Sequence, residues 1–166
     1  MTLAEILLVF TLLISNATFL SELSYYHSYD QKLKDTQIDI GQSLKPFSNY
    51  NYTVASDFAG SLPYYSSWKD LDILGLNDKF IAENGAATPE YLEGKKPDLV
   101  ILPFRNGKIA YSANYEEPFY NFVKKNNYVI VNTLYWNNIS YIYYLNPKIK
   151  KFNDIKKAIL SSNKEY

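Results

Sequence analysis

The stretch Val54–Asp78, VASDFAGSLPYYSSWKDLDILGLND, constrains this chain more than any other segment. It opens as a β-branched strand, breaks at Asp57-Phe58-Ala59-Gly60 and runs through an aromatic turn, Pro63-Tyr64-Tyr65. It then returns to an apolar strand, Leu71-Asp72-Ile73-Leu74, and ends in Gly75-Leu76-Asn77-Asp78, where Asn77 or Asp78 can cap a helix. Strand, turn, strand and helix start in so short a span point to a layered fold, with helices covering a sheet.

The flanking segments extend that pattern. Asp35 or Thr36 can cap a helix whose apolar residues Ile40, Leu44 and Phe47 fall on one face, with Pro46 marking its end. Tyr52–Ser56 follows as a strand. Phe80 and Ile81 belong to a short helix that Gly85 can stop, and Thr88-Pro89-Glu90 begins another, closed by Gly94. Asp98–Leu102 is a continuous apolar run, as expected of a central strand covered on both faces. Asn106-Gly107 signals a tight turn into an edge strand at Lys108–Tyr111. Glu116-Glu117-Pro118 opens a helix with Phe119, Phe122 and Val123 inside. Tyr128–Val131 and Ile139–Leu145 flank Trp136-Asn137-Asn138 as a hairpin, and Phe152, Ile155 and Ile159 mark a last amphipathic helix. The expected fold is an α/β layered domain with a mixed, mostly parallel sheet of about five strands. It ends in an antiparallel hairpin and is preceded by an N-terminal hydrophobic helix.

That helix is Leu3–Leu20, the most hydrophobic stretch and about long enough to cross a bilayer. A membrane helix or its remnant is the leading reading. A cleaved signal peptide is second, given the small residues Ser15-Asn16-Ala17 but no positive charge in Met1–Glu5, and an amphipathic or buried helix is third. Tyr25, Tyr26 and Tyr29 stand where an aromatic belt would lie. The division is residues 1–29 as anchor and juxtamembrane segment and 30–166 as the soluble domain, on the extracytoplasmic side.

Charge and composition exclude several classes. Seventeen basic residues balance 17 acidic ones and only one arginine, Arg105, is present, which argues against a nucleic-acid groove. The absence of cysteine removes disulfides and thiolate chemistry. A lone histidine, His27, cannot build a histidine metal cluster, and no phosphate-cradling glycine loop occurs. No cofactor and no metal are expected.

The candidate constellation is Asp57, Asp70, Asp72 and Asp78 with Tyr64, Tyr65, Trp68, Asn77 and the turn glycine Gly60. Neighbouring strand ends could pair Asp57 with Asp72, and paired carboxylates can divide into acid and base, while nearby rings suit a sugar. The alternative is that the aspartates cap turns and helices and Pro63-Tyr64-Tyr65 packs a corner.

Several of these segments together resemble a known family. They are Ile40-Gly41-Gln42-Ser43-Leu44, Val54-Ala55-Ser56-Asp57, Ala59-Gly60 with Pro63-Tyr64-Tyr65-Ser66, Leu71–Asp78 with Ile81-Ala82, and Lys96-Pro97-Asp98-Leu99-Val100. In this order they resemble the extracytoplasmic C-terminal domain of multi-spanning GT-C type glycosyltransferases, the protein-mannosyltransferase and arabinosyltransferase-like group that uses polyprenyl-phosphate-linked sugars. The likeness covers roughly residues 36–103. Those enzymes carry a long array of membrane helices and place the catalytic acid in their first extracytoplasmic loop, positions that have no counterpart here. The resemblance therefore implies a non-catalytic tail domain tethered through Leu3–Leu20, with a multi-spanning glycosyltransferase subunit or a glycan as partner. Two other functions remain open: an independent carbohydrate-binding module stacking on Tyr64, Tyr65 and Trp68, and a hydrolase using Asp57 and Asp72.

Overall fold

Strand β3, Leu99–Arg105, is buried along its whole length except at Arg105, and a strand with no polar face must lie inside a sheet with cover on both sides. The computed structural model describes residues 35–58, 60–110, 113–136 and 138–162. It divides the chain into two compact units, Met1–Asp35 and Thr36–Tyr166, and the elements below belong to the second except for Asp35, the first residue of the first helix. Leu3–Leu20, read above as a hydrophobic helix, lies outside the described residues. Among those described, no helix is long and apolar enough to cross a membrane.

A helix over residues 35–44 (α1) runs into a 3-10 turn, Lys45–Tyr50, with Pro46 in its first positions. β1 (Thr53–Ser56) leads through α2 (Ser61–Ser66) to β2 (Lys69–Asp72), and α3 (Lys79–Asn84) and α4 (Pro89–Lys95) lead to β3. β4 (Lys108–Ile109), α5 (Ala113–Lys125), β5 (Val129–Trp136), β6 (Ile139–Leu145) and α6 (Phe152–Ser161) complete the unit. The six strands form one mixed sheet, ordered β2-β1-β3-β6-β5 with β4 on β3. β1 pairs in parallel with β2 and β3, whereas β3–β4, β3–β6 and β5–β6 are antiparallel. The sheet is therefore mixed with antiparallel pairings in the majority, not mostly parallel as the order of elements suggests. The difference arises because the final hairpin inserts β6 beside β3 and leaves β5 at the edge.

Two local corrections follow. The aromatic turn at Pro63-Tyr64-Tyr65 is the interior of α2, so Val54–Asp72 is a parallel crossover rather than a strand-turn-strand. A proline costs little there, because the N–H groups of a helix's first turn have no intrahelical partner. Likewise α5 begins at Ala113, ahead of Glu116-Glu117-Pro118, and holds Pro118 inside it.

Alternation along the strands sorts the core into two faces. Ala55, Leu71, Val100, Leu102, Phe104 and Tyr144 pack against Ile81, Leu92, Phe119 and Phe122 of α3, α4 and α5. The other face presents Val54, Leu99, Ile101, Tyr143 and Leu145, all fully buried. There α1 ties to β6 through Gln37 Nε2, which donates to the Tyr143 hydroxyl at 3.0 Å. α1 and α2 pack with little room: a Cβ added to Gly41 would lie 2.9 Å from the Tyr65 Cβ and 3.0 Å from the Leu62 carbonyl oxygen.

Candidate functional site

In open sheets with parallel strands, ligands favour the carboxyl ends of the strands where successive connections leave in opposite directions. Here that point lies between β1 and β3, since β1 connects to β2 on one side while β3 pairs with its other side. The residues beyond these strand ends are Asp57 and Phe58 after β1, Ile73–Asp78 after β2 and Asn106 and Gly107 after β3.

Register places Ser56 opposite Asp72, so Asp57 and Asp72 stand at adjacent strand ends as the sequence suggests. Their roles then diverge. Asp72 is 1% exposed and its carboxylate accepts from the Leu74 N–H at 2.9 Å and the Asn77 N–H at 2.8 Å. Both oxygens are thus engaged in folding the loop back on the strand. Gly75 completes this loop at φ +78, and a Cβ on it would sit 2.8 Å from the Ala82 nitrogen. Asp78 caps α3 by accepting from the Ile81 N–H at 3.0 Å, and its second oxygen accepts from the Tyr91 hydroxyl at 2.5 Å. Burial and that carboxylate raise the Tyr91 pKa.

Asp57 differs from both. Its Oδ1 is buried and without a hydrogen-bond partner, and burial, with a smaller contribution from Asp72, raises the carboxyl to about 6. Asp70, on the exposed edge of β2, is also raised to about 6 by burial of its carboxyl and by Asp72, while the Asn77 side chain opposes the shift. Asp57 in turn adds to the effect of burial that pushes the Tyr143 hydroxyl upward. Asp57 and Asp72 do not share an open cleft: Asp72 is sealed, which removes the geometry that a hydrolase built on these two carboxylates requires.

The remaining predicted positions are divided between core and surface. Trp68 is 4% exposed, donates from Nε1 to the Leu44 carbonyl at 3.3 Å and packs on Tyr52 with centroids 4.9 Å apart. It anchors the 3-10 turn and offers no free face for a sugar to stack on. Tyr64 is 78% exposed and meets half-buried Tyr65 edge to face at 5.1 Å. Gly60 lies at the exposed start of α2 with open space around its Cα, so a side chain there would be tolerated. Asn77 is exposed, and its backbone serves the Asp72 loop. Asp98, quoted above only as part of Lys96-Pro97-Asp98, clamps the start of β1. Its carboxylate accepts from the Thr53 N–H at 2.8 Å, while its own N–H donates to the Thr53 carbonyl.

Sequence reading missed a groove beside the end of β3. It measures about 560 Å³ and is lined by Arg105, Asn106, Gly107, Tyr135, Asn138 and Ser140. The signal was available as two turns, Asn106-Gly107 and Trp136–Asn138, but nothing in the pattern showed that β6 would bring them together. Among the described residues no cluster of acidic or histidine side chains has the spacing to hold a metal ion.

A family model, described as a domain of unknown function (DUF8728), matches residues 24–150. No curated protein and no solved structure matches the chain.

Proposed function

The chain belongs to the DUF8728 family, and from its own residues we propose that it is a non-catalytic, membrane-tethered domain of the extracytoplasmic face. It resembles the tail of a polyprenyl-phosphate-sugar glycosyltransferase and supports the binding of an acceptor or of a multi-spanning partner that supplies the active site. Leu3–Leu20 is the proposed anchor. The observation that carries this reading is the use made of the motif carboxylates. Asp72, Asp78 and Asp98 are each occupied by backbone N–H groups, which suits residues that shape loops and leaves none of the three free for proton transfer.

The test is activity of the full chain in detergent or vesicles with a polyprenyl-phosphate-linked sugar. No turnover is expected from the chain alone, together with co-purification of a multi-spanning glycosyltransferase from the native membrane. Transfer or hydrolysis of the sugar by the isolated chain would refute the reading.

A carbohydrate-binding module is the second reading, favoured by the exposed Tyr64 ring set edge-on against Tyr65. Glycan titration of the parent chain and of Tyr64→Ala would separate it from the first, since the tail-domain reading does not require that ring.

A further inference from the structure

We propose that a polar pocket at the amino end of β3, beside the ends of α4 and α5, binds a compact dianion: a phosphate monoester or a short dicarboxylate. The sheet register assembles this pocket. Leu145 of β6 pairs with Leu99 of β3 on one side and with Val129 of β5 on the other. The residues just outside that row are therefore neighbours: Lys96-Pro97-Asp98 before β3, Tyr128 before β5 and Asn146 after β6. Main-chain acceptors fix the frame, since the Asn146 N–H donates to the Asp98 carbonyl at 2.9 Å and the Tyr128 hydroxyl to the Pro97 carbonyl at 2.5 Å. Glu93, Lys96, Asn126, Tyr128, Asn146 and Lys148 line the pocket, and buried Phe122 meets the Tyr128 ring edge to face at 5.7 Å. Its volume is about 170 Å³, below the roughly 300 Å³ at which sites for drug-sized ligands begin, so the occupant is one small group.

The balance of donors and acceptors selects the chemistry. Glu93, the one carboxylate in the lining, accepts from Lys125 Nζ at 2.8 Å. That bond holds its carboxyl below the usual range, and Asn126 and Lys96 act in the same sense. Asn146 Oδ1 accepts from the Lys148 N–H at 3.0 Å, which leaves its Nδ2 without an acceptor among the described residues. Lys96 and Lys148 form no salt bridge among the described residues. Two ammonium groups and an amide donor thus line a concave site whose own carboxylate is neutralised from outside it, and such an excess of positive charge concentrates anions. Two cations match two negative charges, and lysines, as point charges, hold the oxygens of a phosphate or a carboxylate. The last carbonyls of α4 and α5 would oppose an anion if they were free. Those of Leu92, Phe122, Val123 and Lys124 instead accept from the N–H groups of Lys96, Asn126, Tyr128 and Asn127.

The inference goes beyond the tail-domain reading and does not rest on it, since the pocket needs neither a membrane partner nor a lipid-linked sugar. Its test uses the full chain in detergent micelles at constant ionic strength, in a mildly alkaline buffer where a phosphate monoester carries two charges. The probes are methyl phosphate, succinate and acetate, read by calorimetry and by amide chemical shifts. At least one of the two dianions is expected to bind about tenfold or more tighter than acetate, and their order tells a phosphate site from a dicarboxylate site. The amides of Lys96, Asn146 and Lys148 should move on binding. Lys96→Gln and Lys148→Gln are each expected to weaken the dianion about threefold or more, while Lys95→Gln, an exposed neighbour outside the lining, leaves it unchanged. Asn146→Asp keeps an acceptor for the Lys148 N–H but replaces the amide donor with a negative charge, and should abolish binding. Thermal melts matching the parent establish that these variants remain folded. Dianions binding no better than acetate, Lys95→Gln weakening binding as much as Lys96→Gln, or binding that leaves the Asn146 and Lys148 amides unmoved would each overturn the proposal.

Discussion

In the parallel half of the sheet, β2-β1-β3, three carboxylates at strand or helix ends serve the backbone: Asp72 closes the loop after β2, Asp78 caps α3 and Asp98 holds the first residue of β1. In the antiparallel half, at the β5–β6 turn, Tyr135 is exposed and Asn138 and Ser140 line an open groove. The contrast has a topological cause. Parallel strands are joined by crossovers whose loops leave the sheet with unpaired N–H groups, and buried N–H groups must find acceptors. A hairpin satisfies much of its backbone across its own ladder, so its polar side chains remain available for something else. Density of acidic residues in this sequence therefore marks where the chain needs internal acceptors, and the open groove lies where it does not.

The largest test of this contrast is Asp72→Ala, which removes two carboxylate hydrogen bonds, from the Leu74 and Asn77 N–H groups, and is expected to cost about 3–5 kcal/mol, read from urea midpoints. A loss below about 1 kcal/mol would mean that the loop does not need its carboxylate. Gly75→Ala should cost about 2–3 kcal/mol, combining a left-handed backbone with a close approach to the Ala82 nitrogen. Asp57→Asn should act in the opposite direction. The folded carboxyl sits at about 6 against an ordinary 3.8, so the native state binds this proton more tightly than the unfolded chain does. Stability from this group is complete below about pH 4 and is lost as pH rises through about 6. Asparagine removes the charge, and the variant should gain about 1–2 kcal/mol over the parent at pH 7 and nothing at pH 4. An equal difference at both values would remove Asp57 as the source. The smallest effect expected is that of Tyr135→Ala, within about 0.5 kcal/mol of the parent by thermal melt. A larger loss would place Tyr135 among the structural residues and erase the contrast.

Much of the architecture was legible because it rests on short-range physics. The apolar run Asp98–Leu102 became the central strand, Asn106-Gly107 took the left-handed angles of a tight hairpin turn, and Asp78 and Thr88 cap the helices they precede. What could not be read was decided by distant partners. The strand expected at Leu71–Leu74 lies at Lys69–Asp72, because the Asp72 side chain captures the following amides and ends the ladder. Trp68, which resembles a sugar platform in sequence, is drawn inward by a carbonyl on the 3-10 turn's approach, at Leu44. The insertion of β6 between β3 and β5 turned an expected mostly parallel sheet into one with a majority of antiparallel pairings. It also created the groove, from turns far apart in the chain. For the candidate site, sequence located the acids correctly at neighbouring strand ends but could not separate Asp57, whose buried oxygen lacks a partner, from Asp72, whose oxygens are both engaged.

The engagement of Asp72 also changes how the loop after β2 should behave in time. Leu74 and Asn77 lie outside any helix or strand, where amide protons ordinarily trade with solvent deuterium through small local openings. Here both are held by a carboxylate that is itself sealed within the fold. Their deuterium uptake is then governed by opening of the β1–β2 crossover as a unit, and the loop keeps the slow clock of the strand it follows.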